Sequence, residues 1–368
     1  MKKNVLTAVM AASLVFFSCE KEEQMSLETE VSVSNNQEIA LDFIEVFNED
    51  NNGKAILDQL SQTKFPVSLE EAFSKATPSD NYSKLKNNAE LMVDKEEKEV
   101  MEMWLHNPEN KTIFSDLLVV FAPDNSEDLK EVTAYDLKGN PHSISTEIAP
   151  DYPVIVLEKD GFHTLNRQVV DMNKRLKEAG LQSENSMDFS QLSNFKGALE
   201  TTKLNKIELK DDEEPWIKGG AEIYAITSGI KDADNSPEVK VIPMYYLDHD
   251  DRAYYPNQVL LFWDDYRYQA ANIQLFEKDS NHNYQELVNV IVSGIFQIAG
   301  TLSGQIWVNA LGSIGSAIIN ALPSSWFTDD DDYVDSFYTI EKNKTYTNYY
   351  GVRGNAKVNM APFTIQPN

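Results

Sequence analysis

From Leu287 to Thr328 the chain carries no charged side chain, although 25% of its residues overall are Asp, Glu, Lys or Arg. A stretch this apolar in so charged a chain must be covered by the rest of the fold. Its polar members recur every fourth position, at Asn289, Ser293, Gln297, Thr301, Gln305, Asn309 and Ser313. In a straight α-helix each four-residue step drifts by about 40°, so one unbroken helix would wind this polar stripe around its surface. A break at Gly300, Gly304, Gly312 or Gly315 resolves the conflict. The expectation is two shorter helices packed on each other and on a neighbouring sheet, with Gly300 and Gly304 spaced for close helix approach.

That neighbouring sheet is written on either side of the stretch. Strand-like runs occur at Ala221 to Thr227, Val239 to Leu247, Val259 to Trp263, Ile273 to Phe276, Phe337 to Glu341, Thr345 to Tyr350 and Ala356 to Ile365. Short strands separated by turns rich in Asp, Asn and Gly predict an all-β sandwich over 216–368 with the uncharged helical insertion at 285–322. Tyr245, Tyr246, Trp263 and Tyr268 suit strand faces better than an aromatic platform for a ligand.

Upstream the pattern is α+β. Ile39, Phe43, Val46 and Phe47, then Ile56, Leu57 and Leu60, recur at helical spacing, and Ser68-Leu69-Glu70-Glu71 fits a capping box. Glu96 to Leu105, with Val100, Met101, Met103 and Trp104, reads as the helix closing this part. Runs at Leu117 to Phe121, Glu131 to Tyr135 and Tyr152 to Leu157 predict a small sheet. Val154-Ile155-Val156 within it calls for cover on both faces, assigned to the preceding helices. Gln168 to Ala179 is again helical. The charged connector Lys210 to Pro215 puts a domain boundary near Leu209, giving an N-terminal α+β domain over 38–209.

The first residues supply an address. Lys2 and Lys3 precede an apolar core from Val5 to Phe17, too short to be a permanent membrane span, so 1–18 reads as a secretion signal. Phe16-Phe17-Ser18-Cys19 resembles the bacterial lipoprotein cleavage box, with Phe16 where Leu is usual, which implies lipidation of Cys19 and a membrane anchor. Lys21-Glu22-Glu23 resembles the signal that sends some lipoproteins to the outer face of the outer membrane. Residues 19–37 read as a flexible tether. Cys19 is the only cysteine, so the folded part has no thiol for disulfides or zinc. The net charge of −27, or −29 without Lys2 and Lys3, argues against nucleic acid and anionic membranes as partners and for cations.

The chemistry offered is acidic. Metalloprotease, nucleophile-elbow and phosphate-loop motifs are absent from the sequence, and the five histidines are scattered; only His249, among Asp248, Asp250 and Asp251, has a suggestive setting. Asp329 to Asp332 and Asp335 form a dense run, while Glu277 and Asp279 follow one strand-like segment and Asp264 and Asp265 another. Clustered carboxylates supply the hard oxygens calcium prefers. A Ca2+ site built from Glu277, Asp279, Asp330, Asp331 and Asp335 is therefore expected, with a solvated acidic turn as the simpler alternative. The arrangement resembles C2-type sandwiches, where aspartates of separate loops share ions. From Tyr254-Tyr255-Pro256-Asn257-Gln258 to Asp331-Asp332-Tyr333-Val334-Asp335 the chain looks like an uncharacterised family of secreted bacterial proteins.

These readings converge on a lipid-anchored protein of the cell surface acting as a non-enzymatic calcium-binding interaction or adhesion module for an extracellular ligand or protein. Insertion of 287–322 into a membrane is the alternative, and a carboxylate-dependent hydrolase the third. Replacing Cys19 with Ala is expected to abolish incorporation of labelled lipid, as only that thiol can accept a diacylglyceryl group; a mutant that still incorporates label refutes the anchor.

Overall fold

A computed structural model describes residues 35–366 apart from 64, 75–78, 107–115, 124–128, 160, 183–196, 212–215, 220, 232–235, 248–250, 279–283, 303–305 and 323–332. The N-terminal part begins with helix α1 (residues 35–47), α2 (Asn52–Leu60), α3 (Leu69–Ala72) and α4 (Asp80–Met92). The spacing of apolar residues anticipated α1 and α2, which bury Ile39, Phe43, Phe47, Ile56 and Leu60. Ser68 caps α3, its hydroxyl accepting the Glu71 N–H at 3.2 Å.

These helices cover one face of a six-stranded sheet made of β1 (Val67–Ser68), β2 (Glu102–His106), β3 (Leu118–Phe121), β4 (Glu131–Asp136), β5 (Pro141–Ser145) and β6 (Val154–Glu158). The spatial order is β1-β2-β6-β3-β4-β5, antiparallel except for the parallel pair β3 and β6. Every residue of β6 is buried, as its unbroken apolar run required. Ile155 and Leu157 face the helices, whereas Val154 and Val156 pack under Trp216 and Ile217, which follow the connector. The second cover thus comes from downstream, not from the preceding helices.

Two expectations are corrected. Glu102–His106 is a strand, not the end of a helix: Met101 and Met103 turn to the helical core while Trp104 turns to the opposite one. Over so short a run the two periods share the same apolar positions, and pairing with β6 decides between them. The boundary near Leu209 also fails, because β7 (Leu199–Leu209) belongs to the C-terminal architecture.

There, two antiparallel four-stranded sheets share one core and so lie face to face. The first has the order β10-β7-β14-β13, using β10 (Gln258–Phe262), β13 (Tyr346–Tyr350) and β14 (Ala356–Ile365). The second has the order β12-β11-β8-β9, using β8 (Tyr224–Ile230), β9 (Pro237–Pro243), β11 (Ala270–Phe276) and β12 (Tyr333–Glu341). The outer face of this second sheet is buried too, under α5 (Phe162–Glu178), α6 (Tyr284–Leu302) and α7 (Trp307–Ala321). The uncharged stretch thus forms two helices on a sheet, with Asn289, Ser293, Gln297 and Asn309 exposed. The glycines at 312 and 315 lie inside α7, and Gly315 permits contact, since a Cβ there would meet the Tyr338 ring at 2.9 Å. Among the described residues no helix is long and apolar enough to cross a membrane.

The amide of Asn173 on α5 ties the two parts of the chain together. It donates to the Val241 carbonyl at 2.8 Å and accepts the Val241 N–H at 3.0 Å, satisfying both backbone groups on the edge strand β9. An orphaned buried polar group costs about 1–3 kcal/mol, so Asn173→Ala should lower stability by about 2 kcal/mol in denaturant titration. No change in midpoint would show that this clamp contributes nothing.

Candidate functional site

The acidic residues are distributed by the register of β11. Its last residue, Phe276, pairs with Tyr333, the first of β12, so Glu277 stands one residue beyond the sheet at the end where the chain emerges from Asp329 to Asp332. Glu277 is 2% exposed, and the adjoining Lys278 is equally buried, its ammonium 5.6 Å from the ring centre of Tyr284. Asp279, Asp330 and Asp331, three of the five expected ligands, lie outside the described residues, as do Cys19 and His249.

Asp335 is at the same end but serves the backbone. It is fully buried; its Oδ1 accepts the N–H of Ser336 and of Arg353, each at 2.8 Å, and its Oδ2 accepts the N–H of Ala356 at 2.8 Å. A Cβ at Gly351 would overlap this carboxylate. Asp335 therefore anchors the connection between β13 and β14 onto β12, and three of its roughly four lone-pair positions are engaged. A carboxylate so used has little left to give a cation. Beside it the Tyr333 hydroxyl donates to Ser336 Oγ at 2.6 Å, and burial holds its pKa up at about 12, so it stays a neutral donor.

Asp264 and Asp265 do not join them. They occupy a short turn that leads through Tyr266, paired with Lys231, to the start of β11. Seven residues at about 3.3 Å each put that end roughly 20 Å from Glu277. Of the described acidic residues, Glu277 and Asp335 share one end of the sheet and Asp264 lies at the other. Among the described residues no group of three or more His, Cys, Asp or Glu is gathered to hold a metal ion.

One carboxylate pair went unnoticed in the sequence. Glu102 and Glu158 are cross-strand partners on β2 and β6 and both are buried. A Cβ at Gly161 would fall on Glu102 Oε1 and 2.9 Å from Glu158 Oε1, so glycine leaves room for both. Glu102 Oε2 accepts the His163 N–H at 2.9 Å in the first turn of α5, where the helix dipole favours negative charge. The available signal was a carboxylate at one end of each strand, Glu102 opening β2 and Glu158 closing β6. At 0% and 3% exposure the pair is closed to a substrate, and its geometry is that of a helix anchor.

Fold and site together define a mixed α+β protein with a doubly covered antiparallel sheet and the buried carboxylates of Glu277 and Asp335 at one end of it. The chain belongs to the family described as Protein of unknown function (DUF3103), which it matches over residues 36–368. The resemblance expected for the C-terminal region thus extends over both parts of the fold. No curated protein and no solved structure matches the chain.

Asp335→Asn would turn an amide N–H, or a single remaining oxygen, toward donors that now share a carboxylate. Leaving at least one buried N–H unsatisfied should cost about 2–3 kcal/mol, seen as a lower melting temperature with or without calcium. A variant as stable as the parent would mean that the carboxylate does not hold this corner.

Proposed function

We propose that this chain is a lipid-anchored protein of the outer membrane, displayed at the cell surface, that acts as a calcium-responsive binding or adhesion module for an extracellular ligand or protein. The reading rests on one register. Phe276 pairs with Tyr333, so buried Glu277 adjoins the strand that begins directly after Asp329 to Asp332. A cation there offsets the mutual repulsion of neighbouring carboxylates and supplies the charge that the −27 chain lacks. The ligand set is then Glu277, Asp279, Asp330 and Asp331, with Asp335 as the strut beneath them. Two face-to-face antiparallel sheets with acidic segments at one end also suit a C2-like sandwich.

Membrane insertion of 287–322 is the weaker reading. Asn272 on β11 donates its side-chain amide to the Leu311 carbonyl at 2.9 Å, and Gln274 to the Gly315 carbonyl at 3.2 Å. Withdrawing α7 would break both bonds, leaving Gln274 only the Tyr338 hydroxyl at 3.3 Å, and would expose the apolar face of the sheet to water.

Calcium binding confined to the folded state stabilises by RT ln(1 + [L]/Kd), about 2.7 kcal/mol at a hundredfold excess over Kd. Calcium should therefore raise the melting temperature, and magnesium should do less because it dehydrates reluctantly. The variant with Asp330→Asn and Asp331→Asn should lose the calcium response; with repulsion relieved, it should melt no lower than the parent in EDTA. A melting curve indifferent to millimolar calcium would reduce the corner to a solvated acidic turn.

A further inference from the structure

The opposite end of β11 has the opposite character. Ala270 pairs with Glu341, the Lys342 N–H donates to the Gln269 carbonyl at 2.9 Å, and the Arg267 N–H donates to the Ile230 carbonyl at 2.8 Å. The β12–β13 turn and the segment before β11 are thereby fixed side by side, and α7 begins above them at Trp307. Between them lies an open cleft of about 620 Å3, within the range of small-molecule sites. Tyr268 and Trp307 line it with ring planes 16° apart and centres 6.1 Å apart, and Trp307 is 37% exposed. Both rings are held by backbone elements, so a flat ligand meets a preformed apolar surface at small entropic cost.

The polar lining fixes the ligand class. Arg267, Lys342 and Lys344 bring three cations to the cleft, Lys342 paired with Glu200 and Lys344 with Glu341, in a chain with 32 basic and 59 acidic residues. Arg267 sits 5.8 Å from the centre of the Tyr268 ring, so charge and aromatic surface meet at one place. Lys344 Nζ is 2.9 Å from Glu341 Oε1, an exposed pair of the kind worth only about 0–1 kcal/mol, and so exchangeable for a ligand carboxylate. The remaining lining, with the Gln269 and Asn343 amides and the Glu341 carboxylate, offers acceptors as well as donors. A ligand rich in hydroxyl groups uses both, whereas a phosphate uses donors alone.

We infer that this cleft binds an acidic saccharide: the C–H face of a sugar ring stacks on Trp307, which Tyr268 backs, and a uronate carboxylate is taken by Lys344 in exchange for Glu341, beside Arg267. A concave site suits a soluble chain end or loop of such a polymer, whereas docking to a lipid surface calls for a protruding one. The site needs no cation, lies at the far end of β11 from Glu277, and stands whether or not calcium binds there.

The test is titration calorimetry of the purified protein in EDTA with trigalacturonic acid. Binding at millimolar ligand or better is expected. Weakening should be at least tenfold in Trp307→Ala, whose exposed ring can be removed without opening a core, and severalfold in Lys344→Glu. The methyl ester of the same trisaccharide should bind several times more weakly, and added salt should erase that difference. Absence of binding, binding untouched by both variants, or equal affinity for acid and ester overturns the inference. So does a cleft that ignores the trisaccharide but takes AMP or phosphatidylglycerol vesicles in a Trp307-dependent way. EDTA keeps these outcomes independent of the calcium response.

Discussion

Two buried amides on β11 hold the molecule's layers in place. Asn272 and Gln274 point away from the core between the sheets and into α7, donating to the Leu311 and Gly315 carbonyls. Each carbonyl has a second lone pair beyond the one its helix uses, so the bond costs the helix nothing. The amides could not be buried on an apolar helix without these acceptors, and the uncharged helix could not stay in water without the sheet. Gly315 lets helix and strand approach closely. Each element therefore depends on the other, and β11 becomes a strand buried on both faces.

Burial of both faces leaves function to the ends of the second sheet. Along β11 and β12 one end adjoins an acidic run and the other gathers Arg267, Lys342 and Lys344 around two aromatic rings. The same rigid strands carry both, so the geometry at each end is set by the hydrogen-bond ladder instead of by loop sequence. Asp335 extends this rigidity, since three backbone N–H groups, one in β12, one in the β13–β14 connection and one at the start of β14, converge on it. The N-terminal sheet is joined through α5, whose Leu165, Val169, Met172 and Leu176 pack into the core beneath the second sheet.

Patterns of burial were the most legible part of the sequence. The absence of charge from Leu287 to Thr328, with a polar stripe drifting at four-residue steps, led directly to paired helices on a sheet. The capping box at Ser68 located a helix start within a residue. What escaped was what only pairing decides. In β7, Glu200, Lys203, Lys206 and Glu208 interleave polar groups with Leu204, Ile207 and Leu209, and its central place between β10 and β14 comes from long-range partners. The Glu96 to Leu105 stretch satisfied a helical period until β6 claimed it as a neighbour. At the candidate site Glu277 and Asp335 were legible as acidic residues near strand ends. That Asp335 is consumed by backbone N–H groups, and that Asp264 lies at the far end of β11, depends on depth and register, which composition does not encode. The aromatic cleft was obscured for the same reason: Tyr268 and Trp307 are far apart in sequence, and only α7 lying on the sheet unites them.

Hydrogen–deuterium exchange read by peptide, with and without calcium, tests most directly whether one rigid strand carries two independent ends. The account predicts that calcium slows exchange in peptides spanning 274–284 and 326–338. The centre of β11 should be slow in both states, because both its faces are buried, and peptides over 264–270 and 341–346 should not respond. Protection spread evenly over the chain, or no change at the Glu277 end, would contradict it.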